Sequence, residues 1–363
     1  MDVADGLEGI VAAETVLSDV DGEAGRLVIR GYGLDEISGS WTFEQVAALL
    51  WSGFFDDPPG DLRPGLGAAR VEVSKELSAL DATLISRSPV EAMRALTARL
   101  ADGDDLATAL ELTAAPAVFT AAAIRAQAGE APVPPDPTLG HAADILRMCK
   151  GAPAAAAEVA ALDSYLVTIA DHGFNASTFA ARVVASTRAG LTSAVLAGIS
   201  ALKGPLHGGA PGPVIEMFDA IGAPANARAW LEAALDRGDR LMGFGHRVYR
   251  VRDPRADALK RAVKVLGAQS DVLPGRLAFA EAVERAALDV LAERKPNRSL
   301  QTNVELYTAL MLEALAFPPS AFTCVFAMGR VAGWIAHARE QVAGGRLIRP
   351  ASRYVGPVPR AAA

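Results

Sequence analysis

Apolar positions recur at helical spacing along most of this chain, and at strand spacing in one place only. Residues 14–30, "ETVLSDVDGEAGRLVIR", place short apolar runs either side of the turn pair Asp21-Gly22, which predicts a small β-hairpin. Beyond it Ala, Leu, Glu and Arg dominate, all good helix formers. "TFEQVAALLWSGF" predicts a helix start, with Thr42 as N-cap and Gln45 completing a capping box. The Pro-rich stretch 128–140, "AGEAPVPPDPTLG", predicts a loop between helices. Near 189–236, two apolar helices flank "KGPLHGGAPGP". Strands and helices do not alternate, which argues against a parallel α/β sheet. There is no internal repeat, and the alanine run 154–157 is the one compositionally plain stretch.

Composition narrows the class. At 363 residues and 51% apolar content, the chain can build two domains or one large one. The net charge of −7 argues against nucleic-acid binding, although a local basic patch suits a small polyanion. Cys149 and Cys324 form no CxxC pair, which argues against a disulfide framework or a thiolate zinc site and fits a reducing cytoplasm. The N-terminus has no basic segment before an apolar one, so no signal peptide is expected. Apolar runs such as 112–124, which contains Pro116, are shorter than a bilayer span. A soluble intracellular protein is expected.

The chemistry gathers in a few places. Of five histidines, His141 and His337 sit within helical patterns and read as structural. His172, His207 and His246 fall where those patterns break beside glycines, and read as structural or as ligands. None forms a metal-binding pair such as HxxxH. "MGFGHRVYRVRDPR", residues 242–255, crowds four arginines behind His246. Asp253-Pro254 reads as the N-cap and first residue of a helix, so Arg255 opposes the helix dipole. Positions 258 and 259 are Ala and Leu, so Arg255 is either solvated or compensated by a bound anion. Arg330 lies in the apolar "FTCVFAMGRVAGWIAHA" with no acid three or four residues away on either side. It must snorkel, pair with a distant acid or face a bound carboxylate; Gly329 and Gly333 favour burial with a partner. "GFGHRV" lacks the dinucleotide spacing and "LHGGAPG" lacks the P-loop Lys-Ser/Thr.

Taken together, "AAETVLSDVDGEAGRLVIRGY", "ADHGFNASTFAARV", "GPLHGGAPGPV", "MGFGHRVYRVRDPRA", "TNVELYTALMLEAL", "FAMGRVAGWIAHARE" and "RLIRPASRYVGP" resemble the citrate synthase family, in order and over nearly the whole chain. The resemblance is to its compact dimeric type, without the extra N-terminal domain of NADH-regulated forms. It implies an all-α homodimer. A large domain, 1–208 and 317–363, would hold the dimer helices, and a small domain, 209–316, would close over the substrates. It implies condensation of oxaloacetate with acetyl-CoA and water to citrate and CoA, with no cofactor or metal, since the CoA thioester is a substrate. By the same resemblance His207 would stabilise the enol or enolate of acetyl-CoA, and His246 would polarise the keto group of oxaloacetate. His172, Arg255 and Arg330 would hold its carboxylates, and Arg349 would enter the partner's site. Met242, Gly243, Phe244 and Gly245 would lie against the CoA adenine, with Arg250 or Arg252 at a CoA phosphate.

Two departures stand out. The family base is Asp in an "NVDFY"-like motif, whereas here Glu305 stands in "NVELY", one methylene further from the backbone. Near a helix N-terminus its carboxylate is expected to stay ionised. Thr302 and Glu305 also read as a capping box, which would make Glu305 structural, catalytic or both. "RPASRY" has Ala351 where many members carry a second basic residue. The alternatives are a 2-methylcitrate synthase using propionyl-CoA, and a homologue that binds acyl-CoA or dicarboxylate without turnover.

Overall fold

A computed structural model describes residues 5–7, 9–56, 60–208, 211–269 and 273–357. The expected small-domain boundary at 209, and Gly209-Ala210 of "LHGGAPG", lie outside them. The N-terminal hairpin is present as strands Ser18–Asp21 and Arg26–Ile29, paired antiparallel with Ser18 opposite Ile29. A third short strand, Tyr32–Gly33, extends the sheet. The turn is longer than the Asp-Gly pair suggests. Asp21 Oδ1 accepts from the amides of Glu23 (3.1 Å) and Ala24 (2.9 Å), closing a four-residue loop. Among the described residues everything else of length is helix.

The expected Thr42 cap is seen: Thr42 Oγ1 accepts from Gln45 N (3.4 Å), and Gln45 Oε1 accepts from Thr42 N (2.8 Å). The organising element is the helix Phe322–Gly344, whose side chains from Cys324 to Ala338 are all buried. The helices Phe43–Trp51, Leu106–Gln127, Ala156–Ile169, Ala176–Ala185 and Leu191–Leu202 pack around it. Small residues let them approach, as Gly329 and Gly333 suggest. A Cβ at Gly333 would meet Ala170 O at 2.3 Å, and one at Gly329 would meet Ile169 Cγ1 at 2.6 Å. Among the described residues two helices, Leu106–Gln127 and Pro319–Gly344, are long and apolar enough to cross a membrane, contrary to the expectation from run length. Both bury most of that surface within the fold, 72% and 94%, as core helices do.

The helix Pro254–Gly267 packs on Ala156–Ile169 and on Val304–Ala314. It therefore brings "RVRDPR" against both the end of one helix and the start of another, where the chemistry-bearing residues converge.

Candidate active site

The first wall of the site is the turn between Ile169 and Ala176. Asn175 ends it by capping the next helix, its Oδ1 accepting from Ser177 N and Thr178 N (both 3.1 Å). His172 sits in this turn, buried, with Nε2 3.1 Å from the Tyr249 hydroxyl and its ring 5.4 Å from that of His246. Behind it stands Arg330, 1% exposed. Its Nε donates to Ile169 O (2.6 Å) and its guanidinium lies over the Phe326 ring (4.9 Å). Its burial excludes snorkelling, and no carboxylate among the described residues forms an ion pair with it. Burial holds Arg330 down to about 10 against the pull of Asp171. A fall of that size costs the charged form about 3 kcal/mol.

The second wall is the loop before Arg255. Gly243 and Gly245 adopt φ of +87° and +81°, which favour glycine, and a Cβ at either would meet a leucine at 2.9 Å. The loop is tied to the segment before Glu305. Gly245 N donates to Gln301 O (2.7 Å), Asn303 N to Gly243 O (3.0 Å), and Asn303 Nδ2 to Gly245 O (2.9 Å). His246 Nδ1 accepts from the amides of Val248 (3.0 Å) and Tyr249 (3.1 Å), so the neutral ring carries its proton on Nε2. That Nε2 is 3.3 Å from Arg255 Nη2, which can only donate. Two donors thus converge with no acceptor between them, an arrangement suited to a substrate oxygen.

Arg255 is not solvated. It is 3% exposed, and its charge is answered by the helix's own cap. Asp253 takes Arg255 Nε at 3.0 Å and Nη2 at 2.8 Å, and also accepts from Arg255 N (3.0 Å) and Val304 N (3.2 Å). The bound anion invoked for the helix end is therefore supplied in part by Asp253 itself.

Glu305 lies in the first turn of the helix Val304–Ala314, but the capping box with Thr302 does not form. The cap is Asn303, whose Oδ1 accepts from Glu305 N (3.0 Å). Two adjacent residues could cap here, and the second one does, which leaves the Glu305 carboxyl without a capping task. Nor is it held ionised by the helix end. Burial pushes it up to about 7, against Arg240 and Arg255. His207 Nε2 is 2.8 Å from Ser177 Oγ, which also receives Trp334 Nε1 (3.1 Å) and lies 2.7 Å from Asn175 Oδ1. Burial, with Arg330 and Arg255 nearby, lowers His207 to about 4, and burial with Arg255 does the same to His246. His172 is held well below the usual range by the same causes. All three imidazoles are neutral at pH 7.

Other expected residues fall elsewhere. Arg252 is ion-paired with Asp257 and Glu284 (both 2.6 Å). Arg250 is exposed, and its side chain makes no ion pair among the described residues. Met242 is half-buried, while the Phe244 ring belongs to the core. Arg349 is exposed in the segment after the last helix and is not joined to this cluster. His141 and His337 are internal. His141 accepts from Arg70 (3.3 Å), and His337 bonds Arg182 and Asp171 (both 3.1 Å). Tyr249, Ser177 and Trp334 escape notice in the sequence, and Asp253 is read there only as a helix cap. Only the caps "FNAS" and "RDPR" carry a local signal for two of them. Among the described residues no cluster of three or more His, Cys, Asp or Glu is arranged to hold a metal.

Comparison with known proteins agrees with the geometry. The model of the family "Citrate synthase, C-terminal domain" matches residues 6–351. The putative citrate synthase 2 of Mycobacterium tuberculosis is 38% identical over 366 residues, spanning 98% of this chain and 93% of that protein. The 2-methylcitrate synthase of the same organism is 36% identical over 372 residues, spanning 98% and 91%. A solved citrate synthase from Thermoplasma acidophilum, described as a ternary complex with carboxymethyl coenzyme A and oxaloacetate, superposes with a TM-score of 0.86 at 29% identity, covering 99% of this chain and 97% of that one. With one family's pattern running through almost every residue from the hairpin to the last helix, the chain belongs to the citrate synthase family.

Proposed function

We propose that this chain condenses oxaloacetate with an acyl-CoA, forming citrate from acetyl-CoA. The observation that carries the proposal is Arg330, a buried guanidinium with no carboxylate partner among the described residues, facing the same space as Arg255 and three neutral histidines. A bound dicarboxylate supplies the missing negative charge. Arg330, Arg255 and His172 hold its carboxylates, and His246 Nε2–H donates to its keto oxygen. Glu305 takes a proton from the acyl methyl group while His207 donates to the thioester oxygen, so that charge does not build up unpaired. That role requires the ring proton of His207 on Nδ1, with the Ser177 hydroxyl turned to Nε2. Asn175 Oδ1 keeps its two amide donors in that arrangement. The enol carbon then attacks the keto carbon, the new alkoxide takes a proton, and water cleaves the citryl thioester to citrate and CoA. The loop 242–245 lies against the adenine, and exposed Arg250 reaches a CoA phosphate.

Acetyl and propionyl groups differ by one methylene, worth only about 1–3 kcal/mol of discrimination. The relatives include enzymes named for each product. Thiol release by the purified chain with oxaloacetate and either acyl-CoA tests both. Release with acetyl-CoA supports the proposal, faster release with propionyl-CoA favours the 2-methylcitrate alternative, and release with neither favours a binding protein. Free Cys149 and Cys324 suit the reducing cytoplasm in which such an enzyme would work.

The site is completed, in this proposal, by a second copy whose Arg349 enters it. Arg349→Ala then weakens oxaloacetate binding without unfolding the chain. A heterodimer of an Arg349→Ala subunit with a His246→Ala subunit concentrates both lesions in one site. Its activity should exceed that of either parent homodimer, and no recovery in a verified heterodimer rules out the trans contribution.

The ligands come from both proposed domains, 1–208 with 317–363 and 209–316. Oxaloacetate should therefore favour a closed form through its contacts on each side. The expected result is a smaller radius of gyration by solution scattering at saturating oxaloacetate. An unchanged radius argues against closure.

A further inference from the structure

Asp171 and Arg330 are buried neighbours that do not pair. The Asp171 carboxylate lies against Gly333, one turn along the helix from Arg330, where a Cβ would meet its Oδ1 at 2.9 Å. Arg330 in turn bonds Ile169 O, two residues before Asp171. Opposite charges this close in a dry interior attract strongly, and pairing is the default outcome. Yet both Asp171 oxygens are engaged elsewhere. Oδ1 accepts from His337 Nε2 (3.1 Å), and Oδ2 accepts from the Ser18 hydroxyl of the N-terminal hairpin.

Neither donor has another use for its proton. His337 Nδ1 faces Arg182 Nη1 (3.1 Å), and a guanidinium has only donors, so the His337 proton is on Nε2. Ser18 Oγ accepts from Gly173 N (2.9 Å), which leaves its single proton for Asp171. The surroundings hold both donors still. Arg182 is fixed by Gln341 Oε1 (2.9 Å) and by Glu340, and Glu340 Oε1 accepts from Val16 N (2.9 Å) and Thr15 Oγ1 (3.2 Å), just before the hairpin. Burial would raise the Asp171 carboxyl, but His337, Ser18 and Arg330 together hold it below its usual range, so it is a full negative charge kept off an adjacent positive one.

We propose that Ser18 and His337 are positioning residues that hold the Asp171 carboxylate away from Arg330, so that the Arg330 charge stays available to a substrate carboxylate. The hairpin thus contributes to anion binding without touching the anion. This rests on the assignment of Arg330 to oxaloacetate binding.

The test is a set of oxaloacetate titrations and steady-state rates. Ser18→Ala frees Oδ2 to turn to Arg330. If the paired form then takes about nine-tenths of the molecules, the apparent oxaloacetate Kd rises about tenfold. Turnover at saturating oxaloacetate should stay within about threefold of wild type, since the loss is in the ground-state site. Ser18→Thr keeps the hydroxyl and should bind as wild type does. Adding Asp171→Asn to Ser18→Ala removes the charge that competes, and should restore the affinity. An unchanged Kd in Ser18→Ala overturns the inference, as does a double variant that stays weak, which marks plain damage to the turn. Arg330→Met separates the two levels. If it leaves oxaloacetate affinity intact, the assignment of Arg330 fails, and this inference with it. If it abolishes binding while Ser18→Ala does nothing, only the inference fails.

Discussion

Glu305→Gln should lose on the order of 10²–10⁴-fold in turnover, the usual worth of a positioned general base, while folding at least as stably as wild type. Gln matches Glu in shape and cannot accept the methyl proton. Because Asn303 caps the helix, no cap is lost with the carboxylate. The carboxyl lies at about 7 in the folded chain, against 4.5 for an exposed glutamate. A raised carboxyl binds its proton more tightly folded than unfolded. Its contribution to stability is therefore greatest at low pH and falls as pH rises from about 4.5 to 7. Gln has no such loss, so the difference in melting temperature between variant and wild type should widen in favour of Gln toward pH 8. Catalysis runs the other way, since the base must be ionised. The wild-type kcat/KM should rise with pH around 7, and the residual rate of the Gln variant should lack that limb. His207 and His246, at about 4, do not titrate in this window. Wild-type-like turnover in the variant would remove Glu305 from the chemistry.

Arg330→Met should weaken oxaloacetate binding by about 10²–10³-fold, in line with the loss of one partner of a buried charge pair, and raise the melting temperature. Met fills similar volume without a charge. Relieving the buried guanidinium returns about 3 kcal/mol. Leaving Ile169 O unpaired costs about 1–2 kcal/mol. The net gain of roughly 1 kcal/mol corresponds to a few degrees. Calorimetric binding and thermal melts of the same preparation read both effects. A variant that melts lower yet binds oxaloacetate normally would mean that Arg330 serves packing rather than the ligand.

These two residues show which physical signals reach the sequence. Arg330 is conspicuous because a helix brings residues three and four apart together, and none of its neighbours there is acidic. That it also lacks an acid from elsewhere depends on Ser18 and His337, 312 residues away and seven residues on, which no local pattern links. The Asp253-Pro254 cap is legible because caps are local. Helical spacing does not select the Arg255 partner, because the guanidinium folds back two residues onto that cap rather than along the helix. The Thr302 and Asn303 choice is a contest between adjacent cap-formers that spacing alone does not resolve. Arg250 and Arg252 are equivalent by composition, and Glu284, on a helix 32 residues further on, decides which is occupied. Tyr249 becomes visible only when the loop turns it onto His172.

The most direct measurement follows the carbon. Purified chain is mixed with oxaloacetate and [¹³C₂]acetyl-CoA, and the products are read by ¹³C NMR as CoA appears. A condensing enzyme places the label in one carboxymethyl arm of citrate, with one CoA released per citrate formed. CoA release with the label recovered as acetate would instead identify a thioesterase, and would contradict the assignment of His246, Arg255 and Arg330 to an oxaloacetate that accepts a new carbon–carbon bond.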